Sequence, residues 1–267
     1  MRIVVTGAAG LIGSALVRRL GAVGLRHADL DITRAADVRR AVTRLEPELV
    51  INCAVLGVDE CEREPSAAAE INIDGPAYLA EACEKAGVAV MHFSTNYVFD
   101  GRERRAYTTE DGANPVNVYG RTKLTGECAA FFRGSRTYVV RTSWVFGEGK
   151  ESFVSSVHRK LRAGEPVRAV SDIWASVTYL EDLVGAVAHV LERGKPGLYH
   201  IVNEGACSNE MFAREAAKLT GASESLIEAT PSRDLHKARR PRYTPMRSSI
   251  PLRNWREALR AYISADK

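Results

Sequence analysis

The 267-residue chain contains no apolar run long enough to span a lipid bilayer. Its first residues, "MRIVVTGAAG", lack the basic, apolar and cleavage regions that make up a secretory signal peptide. Both absences predict a cytoplasmic protein.

Cysteine and histidine are few and are not grouped in the way that metal sites require. The five cysteines are an odd number without a CxxC pair, and the six histidines show no metal-ligand spacing. We therefore expect reduced thiols and no metal ion. An excess of one charge is also missing, because 37 basic residues face 33 acidic ones. A net charge of +4 is compatible with an anionic ligand but too small and scattered to indicate nucleic-acid binding.

The N-terminal half alternates buried-strand and helix patterns. "RIVVT", "ELVINCA", "VAVMHF" and "TYVVRTSWVF" are typical of buried strands, and amphipathic segments such as "RAADVRRAVTRL" separate them. Thr33 is a candidate N-cap of that helix, and the helical segment that follows "ELVINCA" is interrupted at Gly75-Pro76. The alternation predicts an α/β fold, a Rossmann-type doubly wound parallel sheet with ligands at the carboxyl ends of its strands.

The pattern changes near residue 150. Residues 1–150 are predicted to form the dinucleotide-binding domain. Residues 151–267 are predicted to form mainly a smaller C-terminal substrate-binding lobe, whose elements are interleaved with the first domain.

A glycine-rich turn links the first strand to the first helix. Gly7, Gly10 and Gly13 form GxxGxxG in "RIVVTGAAGLIGSALVRRL". Glycines permit a tight turn and a close approach of the backbone to a pyrophosphate, which the helix N-terminus then binds through its free N–H groups. We expect NADPH or NADH here.

The residues after the second strand bear on the choice between the two cofactors. Asp29 and Asp31 are candidates for ribose or adenine contacts, whereas Arg26 and His27 are candidates for a 2′-phosphate. Arg26 tips the expectation slightly toward NADPH.

A tyrosine and a lysine lie four residues apart in "NVYGRTKLTGE". On a helix, Tyr119 and Lys123 share one face. A neighbouring ammonium lowers the pKa of a phenol, so the pair is a candidate for proton transfer.

Together, GxxGxxG, "STNYVFDG", "YGRTK" and "RTSWVFG" occur in an order that resembles the extended short-chain dehydrogenase/reductases. Within that superfamily the chain is most similar to the dTDP-4-dehydrorhamnose reductase family, along essentially its whole length. The resemblance implies a Thr95, Tyr119 and Lys123 catalytic set, with Ser94 as the alternative hydroxyl. It also implies a cofactor site at Gly7, Gly10, Leu11, Ile12, Gly13, Arg26, Asp31, Ile32, Cys53, Ala54, Asn72, Tyr119 and Lys123. Asn72 is also a candidate to steady the active-site helix or a water, or to cap a helix kink.

The implied substrate is a nucleotide-activated deoxysugar that is reduced at its 4-keto group. The resemblance assigns sugar or phosphate contacts to Asn96, Trp144, Asp172 and Arg242. Asn96 stands where the family usually has an aspartate. Asp172 is equally a candidate loop cap, and the arginines of "ARRPRYT" are candidates for a nucleotide diphosphate or a solvated loop.

Two other interpretations stay open at this point. One is a non-catalytic NADP-binding regulatory subunit resembling that of methionine adenosyltransferase, and the other is an extended-family sugar-nucleotide epimerase. The resemblance also leaves open a homodimer.

Overall fold

The computed structural model of the protein describes residues 1–150, 152–235 and 238–266. Glu151, where the predicted second segment begins, and Lys267, where it ends, lie outside the described residues.

Six parallel strands form the central sheet, in the order β10-β5-β4-β3-β1-β2. They are β1 (Ile3–Thr6), β2 (Val23–Leu25), β3 (Leu49–Asn52), β4 (Ala89–Thr95), β5 (Thr137–Thr142) and β10 (Gly197–His200). β1, β3 and β4 are buried along their whole length, which explains why they appear in the sequence as continuous apolar runs. The predicted Rossmann-type fold is confirmed.

Helices cover both faces of this sheet. They are α1 (Leu11–Leu20), α2 (Ala35–Leu45), α3 (Val58–Arg63), α4 (Pro65–Ala69), α5 (Gly75–Lys85), α6 (Val118–Arg133) and α8 (Leu180–Arg193). Val5 and Ile51 face the layer of α1 and α8. Their neighbours Val4 and Val50 face the layer of α2, α5 and α6. Since successive strand residues point to opposite faces, one short apolar run supplies both cores.

The remaining elements form a smaller layer around a separate core. They are β6 (Val145–Phe146), α7 (Phe153–Arg162), β7 (Val167–Val170), β8 (Trp174–Ala175), β9 (Thr178–Tyr179), α9 (Asn209–Thr220), β11 (Ile227–Thr230), β12 (Tyr243–Thr244) and α10 (Trp255–Ala265). Phe146, Phe212 and Trp255 are fully buried at its centre. The chain is interleaved, because α8 and β10 lie in the larger unit although they follow residue 150. The division into functional domains stays a prediction.

The strand order reverses between β1 and β3, the two strands that flank the point where the chain changes direction across the sheet. Ligands bind at this position in open α/β sheets, outside the carboxyl ends of the strands.

Two local predictions were wrong. The irregularity predicted at Gly75-Pro76 lies earlier, in a π-helical turn at Glu70–Asp74, and α5 begins with Gly75. Pro76 has no N–H to donate to the preceding turn, so the helix widens before it. Arg34 rather than Thr33 precedes α2, since the Thr33 hydroxyl donates to Asp31 instead.

In the part of the chain that the structure describes, no helix combines the length and the apolar character that crossing a membrane requires.

Candidate active site

Two cavities meet at the carboxyl edge of the sheet. The first, of about 480 Å³, surrounds the glycine turn and is here called the glycine-turn cavity. The second, of about 260 Å³, lies beside α6 and is here called the tyrosine cavity. Cys53 and Val55 line both, so the two form one continuous groove.

The groove brings together most of the predicted site residues. Those in the glycine-turn cavity are Gly7, Gly10, Arg26, Asp31, Ile32, Cys53 and Ala54. Those in the tyrosine cavity are Ile12, Cys53, Thr95, Asn96, Tyr119, Lys123 and Trp144. Leu11 and Gly13 lie behind the turn as the first and third residues of α1.

The glycine turn needs its glycines for steric reasons. Gly7 has a φ of 67°, and a Cβ there would lie 2.6 Å from the Ala54 nitrogen. A Cβ on Gly13 would lie 2.4 Å from the Gly7 carbonyl oxygen. Gly10 instead caps α1 without a side chain that could occupy the helix N-terminus, and it lines the cavity. Free N–H groups at a helix start fit a pyrophosphate, so the residues present suit a dinucleotide.

The acidic residue predicted to contact ribose is already engaged. Asp31 accepts hydrogen bonds from the Thr33 amide at 3.0 Å and the Thr33 hydroxyl at 2.7 Å. The bond from the Thr33 hydroxyl is the main reason why the pKa of Asp31 is lowered. Arg26 is exposed at the rim, directly after β2, where a 2′-phosphate would lie. This arrangement favours NADPH.

Tyr119 and Thr95 meet in the tyrosine cavity. Asn117 caps α6 by accepting a hydrogen bond from the Gly120 amide at 2.7 Å, which places Tyr119 in the first turn. Burial raises the pKa of Tyr119 to about 12, although the nearby Thr95 side chain lowers it. At neutral pH Tyr119 is therefore a phenol with a proton to give.

Lys123 is buried beneath Tyr119 and is bound to β4. Its Nζ donates to the Phe93 carbonyl at 2.6 Å and lies 3.1 Å from His92 Nε2. Burial lowers the pKa of Lys123 to about 8, whereas the charge of Glu127 raises it.

The predicted lowering of the Tyr119 pKa by Lys123 is therefore not realised in this geometry. Burial dominates at Tyr119, and a charge that lowers its pKa is that of Arg240. The Lys123 side chain is bound to the Phe93 carbonyl, whereas it was predicted to lower the pKa of Tyr119.

Arg240, a candidate for a nucleotide diphosphate or a solvated loop from the sequence, lies close to Tyr119. It is largely buried, donates to Asp59 Oδ2 at 2.9 Å and lies over the ring of Tyr97. Tyr97 in turn packs edge-on against Tyr119, with ring centroids 5.8 Å apart. The local sequence carries no signal for the contact between Arg240 and Tyr97, because about 140 residues separate them along the chain.

A basic cavity of about 550 Å³ adjoins the site on the side of Arg240. Its arginines are Arg102, Arg233, Arg239, Arg240 and Arg242. Guanidinium groups match phosphate oxygens, so this cavity suits a diphosphate.

The other predicted contacts lie elsewhere. Asn72 is fully buried and is hydrogen-bonded to the Leu56 amide, Cys61 and Thr122 of α6, so it supports the active-site helix, the second role expected of it. Its cofactor contact stays a prediction. Asp172 accepts from both the amide and the hydroxyl of Ser232, as a loop cap does.

Asn96 and Trp144 line the tyrosine cavity but have protein partners as well. The Asn96 amide donates to Thr244 at 2.7 Å, which ties β4 to the smaller layer. Trp144 has a φ of 36°, a conformation that non-glycine residues rarely adopt and that concentrates at functional sites.

The tyrosine cavity also contains two serines. The sequence offered Ser94 only as an alternative hydroxyl and did not single out Ser143. Within the described residues, neither Ser94 Oγ nor Ser143 Oγ has a hydrogen-bond partner, although both atoms are buried. Such hydroxyls are suited to polar groups of a bound ligand. Among the described residues there is no group of three or more histidine, cysteine or acidic side chains that could hold a metal ion.

Known proteins of one family resemble this chain along nearly its whole length. The RmlD substrate binding domain model matches residues 1–267. A dTDP-4-dehydrorhamnose reductase of Mycolicibacterium smegmatis is 39% identical over 99% of this chain and 85% of its own length.

Two solved structures have nearly the same fold over 99% of both chains. One is a dTDP-4-dehydrorhamnose reductase of Clostridium acetobutylicum, 32% identical with a TM-score of 0.92. The other is the Bacillus anthracis enzyme of that name in complex with NADP, 27% identical with a TM-score of 0.93. From its glycine turn to its C-terminal layer, the chain belongs to the family defined by the RmlD substrate binding domain.

Proposed function

We propose that the protein is an NADPH-dependent reductase of the 4-keto group of a nucleotide-activated deoxysugar. The observation that carries the proposal is the Tyr119–Thr95 pair in a cavity continuous with the glycine-turn cavity. The activities named for the relatives at 39% and 32% identity support it.

The chain supplies positioning and proton transfer. A bound dinucleotide supplies hydride. Tyr119 gives its phenolic proton to the substrate oxygen as that oxygen gains charge. Thr95 donates a second hydrogen bond to the same oxygen, an interaction that stabilises developing negative charge. Arg240 places positive charge near the phenolate that remains.

The basic cavity supports the nucleotide part of the substrate. Its five arginines offer forked donors for a diphosphate, and Arg240 connects them to the tyrosine cavity. A sugar attached to that diphosphate would extend toward Tyr119. The unpaired hydroxyls of Ser94 and Ser143 are available there for sugar hydroxyl groups.

The test is NADPH oxidation, followed at 340 nm, against a panel of dTDP- and UDP-4-keto-6-deoxysugars. We expect turnover with at least one dTDP sugar and loss of that turnover in Tyr119→Phe. The exposed variant Phe132→Ser serves as a matched control, because it removes a ring remote from the groove. No oxidation with any of these sugars, by a protein that binds NADPH, would overturn the proposal.

The same preparation tests the rival functions. An epimerase would carry tightly bound NAD through purification, whereas a regulatory subunit would bind NADPH without oxidising it. The cytoplasmic location and the homodimer stay predictions, and sedimentation analysis would test the second.

A further inference from the structure

A chain of four buried polar side chains runs beneath the groove, from the first strand to the catalytic helix. Thr6 Oγ1 donates to Asn52 Oδ1 at 2.8 Å, and Asn52 Nδ2 lies 3.1 Å from His92 Nδ1. His92 Nε2 then lies 3.1 Å from Lys123 Nζ. All four residues are at most 2% exposed, so each must satisfy its hydrogen bonds within the protein.

The orientation of the Asn52 amide is determined by a neighbour that can only donate. The backbone N–H of Ala54 lies 3.1 Å from Asn52 Oδ1. A flipped amide would set an NH₂ group against that N–H, so the oxygen must face Ala54. The NH₂ group of Asn52 therefore faces His92.

This orientation selects one tautomer of His92. Because Asn52 Nδ2 donates, His92 Nδ1 must accept and carries no proton. Burial holds the pKa of His92 well below its usual value, so the ring is neutral and keeps one proton. That proton is on Nε2, the nitrogen that faces Lys123.

If His92 donates from Nε2–H, the Lys123 nitrogen must accept, and only one protonation state of the lysine can do so. An ammonium group has three donors and no acceptor, whereas a neutral amine has a lone pair. The amine can accept from His92 and still donate to the Phe93 carbonyl, 2.6 Å away. The ammonium form would set two donors against each other.

We propose that His92 is a positioning residue of this site, which donates from Nε2 to the Lys123 amine and thereby stabilises the unprotonated form of that lysine in the resting enzyme. The proposal rests on the proposed reductase function only for its kinetic consequence. The protonation states themselves belong to the free protein.

The other groups that face Lys123 do not replace this contact. Glu127, on the same helix, is held by Arg141 in a buried pair with oxygens 2.6 to 3.2 Å from the guanidinium nitrogens. Cys53 and Cys61 also face the amine, but burial raises the pKa of both thiols, so both are uncharged. Burial also lowers the pKa of Lys123 to about 8, in the same direction as the His92 contact.

Nitrogen-15 NMR of the wild-type protein, without cofactor or substrate, tests the tautomer directly. With six histidines, the His92 signals can be assigned by their loss in His92→Asn. We expect the Nε2–H tautomer, with Nδ1 unprotonated, near neutral pH. An Nδ1–H tautomer or an imidazolium ring would overturn the proposal, whether or not any variant folds.

A second measurement follows Lys123 itself. The chain has eight lysines, so its side-chain signals are resolvable, and Lys123→Met assigns the one concerned. In His92→Asn the shorter amide reaches Asn52 but not Lys123, and the pKa of Lys123 should rise by about one, the effect of losing one hydrogen bond. In His92→Gln the longer amide reaches Lys123 and should keep the pKa near its wild-type value.

His158→Asn is the matched control, because His158 is also fully buried and is hydrogen-bonded to the Asp266 side chain. It should leave the Lys123 titration unchanged. If His92→Asn folds and Lys123 titrates as in the wild type, the proposed contact has no influence and is wrong.

The kinetic consequence distinguishes this proposal from the proposed function. If reduction needs protonated Lys123, kcat/KM falls as pH rises through the Lys123 pKa, and His92→Asn should move that fall about one pH unit higher. A shift to lower pH, or none, would count against His92. An inactive wild-type protein with the expected NMR results would instead overturn only the reductase function.

Discussion

The main-chain carbonyl of Asn72 lies against Gly126 of α6 so closely that a Cβ on this glycine would be 2.0 Å from the carbonyl oxygen. The Asn72 amide also donates to Thr122 on the same helix, at 3.2 Å. The π-helical turn at Glu70–Asp74 is therefore the surface on which the helix of Tyr119 and Lys123 is seated. Pro76 has no N–H, so the Asn72 carbonyl cannot accept a hydrogen bond from it. The absence of a side chain at Gly126 leaves room for this carbonyl.

Gly126→Ala should lower the free energy of unfolding by roughly 1–3 kcal/mol, since the new methyl group forces α6 away from Asn72. Gly185→Ala is the control, because a Cβ there meets nothing within 4 Å in helix α8. It should raise stability by roughly 0.5–1 kcal/mol through helix propensity. Urea unfolding measures both, and equal stability of the two variants would contradict the close seating of α6.

Gly10→Val should abolish most NADPH binding while the protein stays folded. The new side chain would project where the backbone meets the pyrophosphate, and its Cβ would lie 3.2 Å from the Gly7 carbonyl oxygen, a tight contact that a small shift of the turn relieves. Gly112→Val, where a Cβ meets nothing within 4 Å, should bind normally. Titration calorimetry decides the matter, and wild-type affinity in a folded Gly10→Val protein would remove the dinucleotide from this turn.

Arg26→Ala should weaken NADPH binding roughly tenfold or more, since a charge-assisted hydrogen bond to the 2′-phosphate would be lost. NADH binding should change little, because NADH lacks that phosphate. Arg19→Ala, an exposed arginine on the far end of α1, provides the comparison. Equal losses for both cofactors would show that Arg26 does not read the 2′-phosphate.

Tyr119→Phe should reduce turnover by ~10²–10⁴ with little change in cofactor affinity, because only the acidic hydroxyl is lost. In the wild type, burial raises the pKa of this phenol to about 12. The rate of the alcohol-oxidation direction should therefore increase with pH, as more of the phenolate base forms. Because Lys123 is a predicted cofactor contact, Lys123→Met should slow turnover and weaken NADPH binding. Stopped-flow absorbance across pH measures these effects. Wild-type rates in Tyr119→Phe would mean that Tyr119 and Lys123 are only neighbours on one face of a helix.

Acid should destabilise the protein through His200. Burial lowers the pKa of this ring from 6.5 to about 4. Below pH 6.5 the unfolded chain therefore binds the proton more readily, and stability is lost as the pH falls toward the folded-state value. Between pH 7 and 5 the loss should be ~2 kcal/mol from this residue. Urea unfolding of the wild type, His200→Gln and the exposed control His189→Asn at both pH values isolates the contribution, and an unchanged pH dependence in His200→Gln would contradict it.

Local patterns were sufficient for the fold and for the position of the groove. Short apolar runs, helix-period segments and the glycine turn are determined by neighbours in the chain, and the alternation of strands and helices then restricts the topology. The same local signals placed Tyr119 on a helix, and the family resemblance singled out Thr95. The structure brings these two residues together. The cap role of Asp172 was one of two open alternatives, and the structure favours it.

The predictions that the structure did not bear out concern properties that depend on the surroundings of a residue rather than on a sequence pattern. Tyr119 and Lys123 have the helical spacing of an interacting pair, but burial raises the pKa of one and lowers that of the other. Burial is a property of everything packed around a group, and no short motif contains it. Asn72 had two expected roles, at the cofactor and beneath the active-site helix, and only the packing shows that the π-helical turn directs it into the interior to support α6.

The sequence by itself determined the Rossmann-type sheet, the glycine turn and the chemical types of the catalytic groups, because periodicity, steric requirements and side-chain chemistry are local properties. Only the tertiary structure decided which groups are hydrogen-bonded to each other and which charged group lies near the Tyr119 phenol. It brought His92 of β4 to Lys123 of α6, and it brought Arg240 beside Tyr97, which packs against Tyr119. Hydrogen bonds and charges act over a few ångströms in space, and packing alone determines which distant residues come within that range.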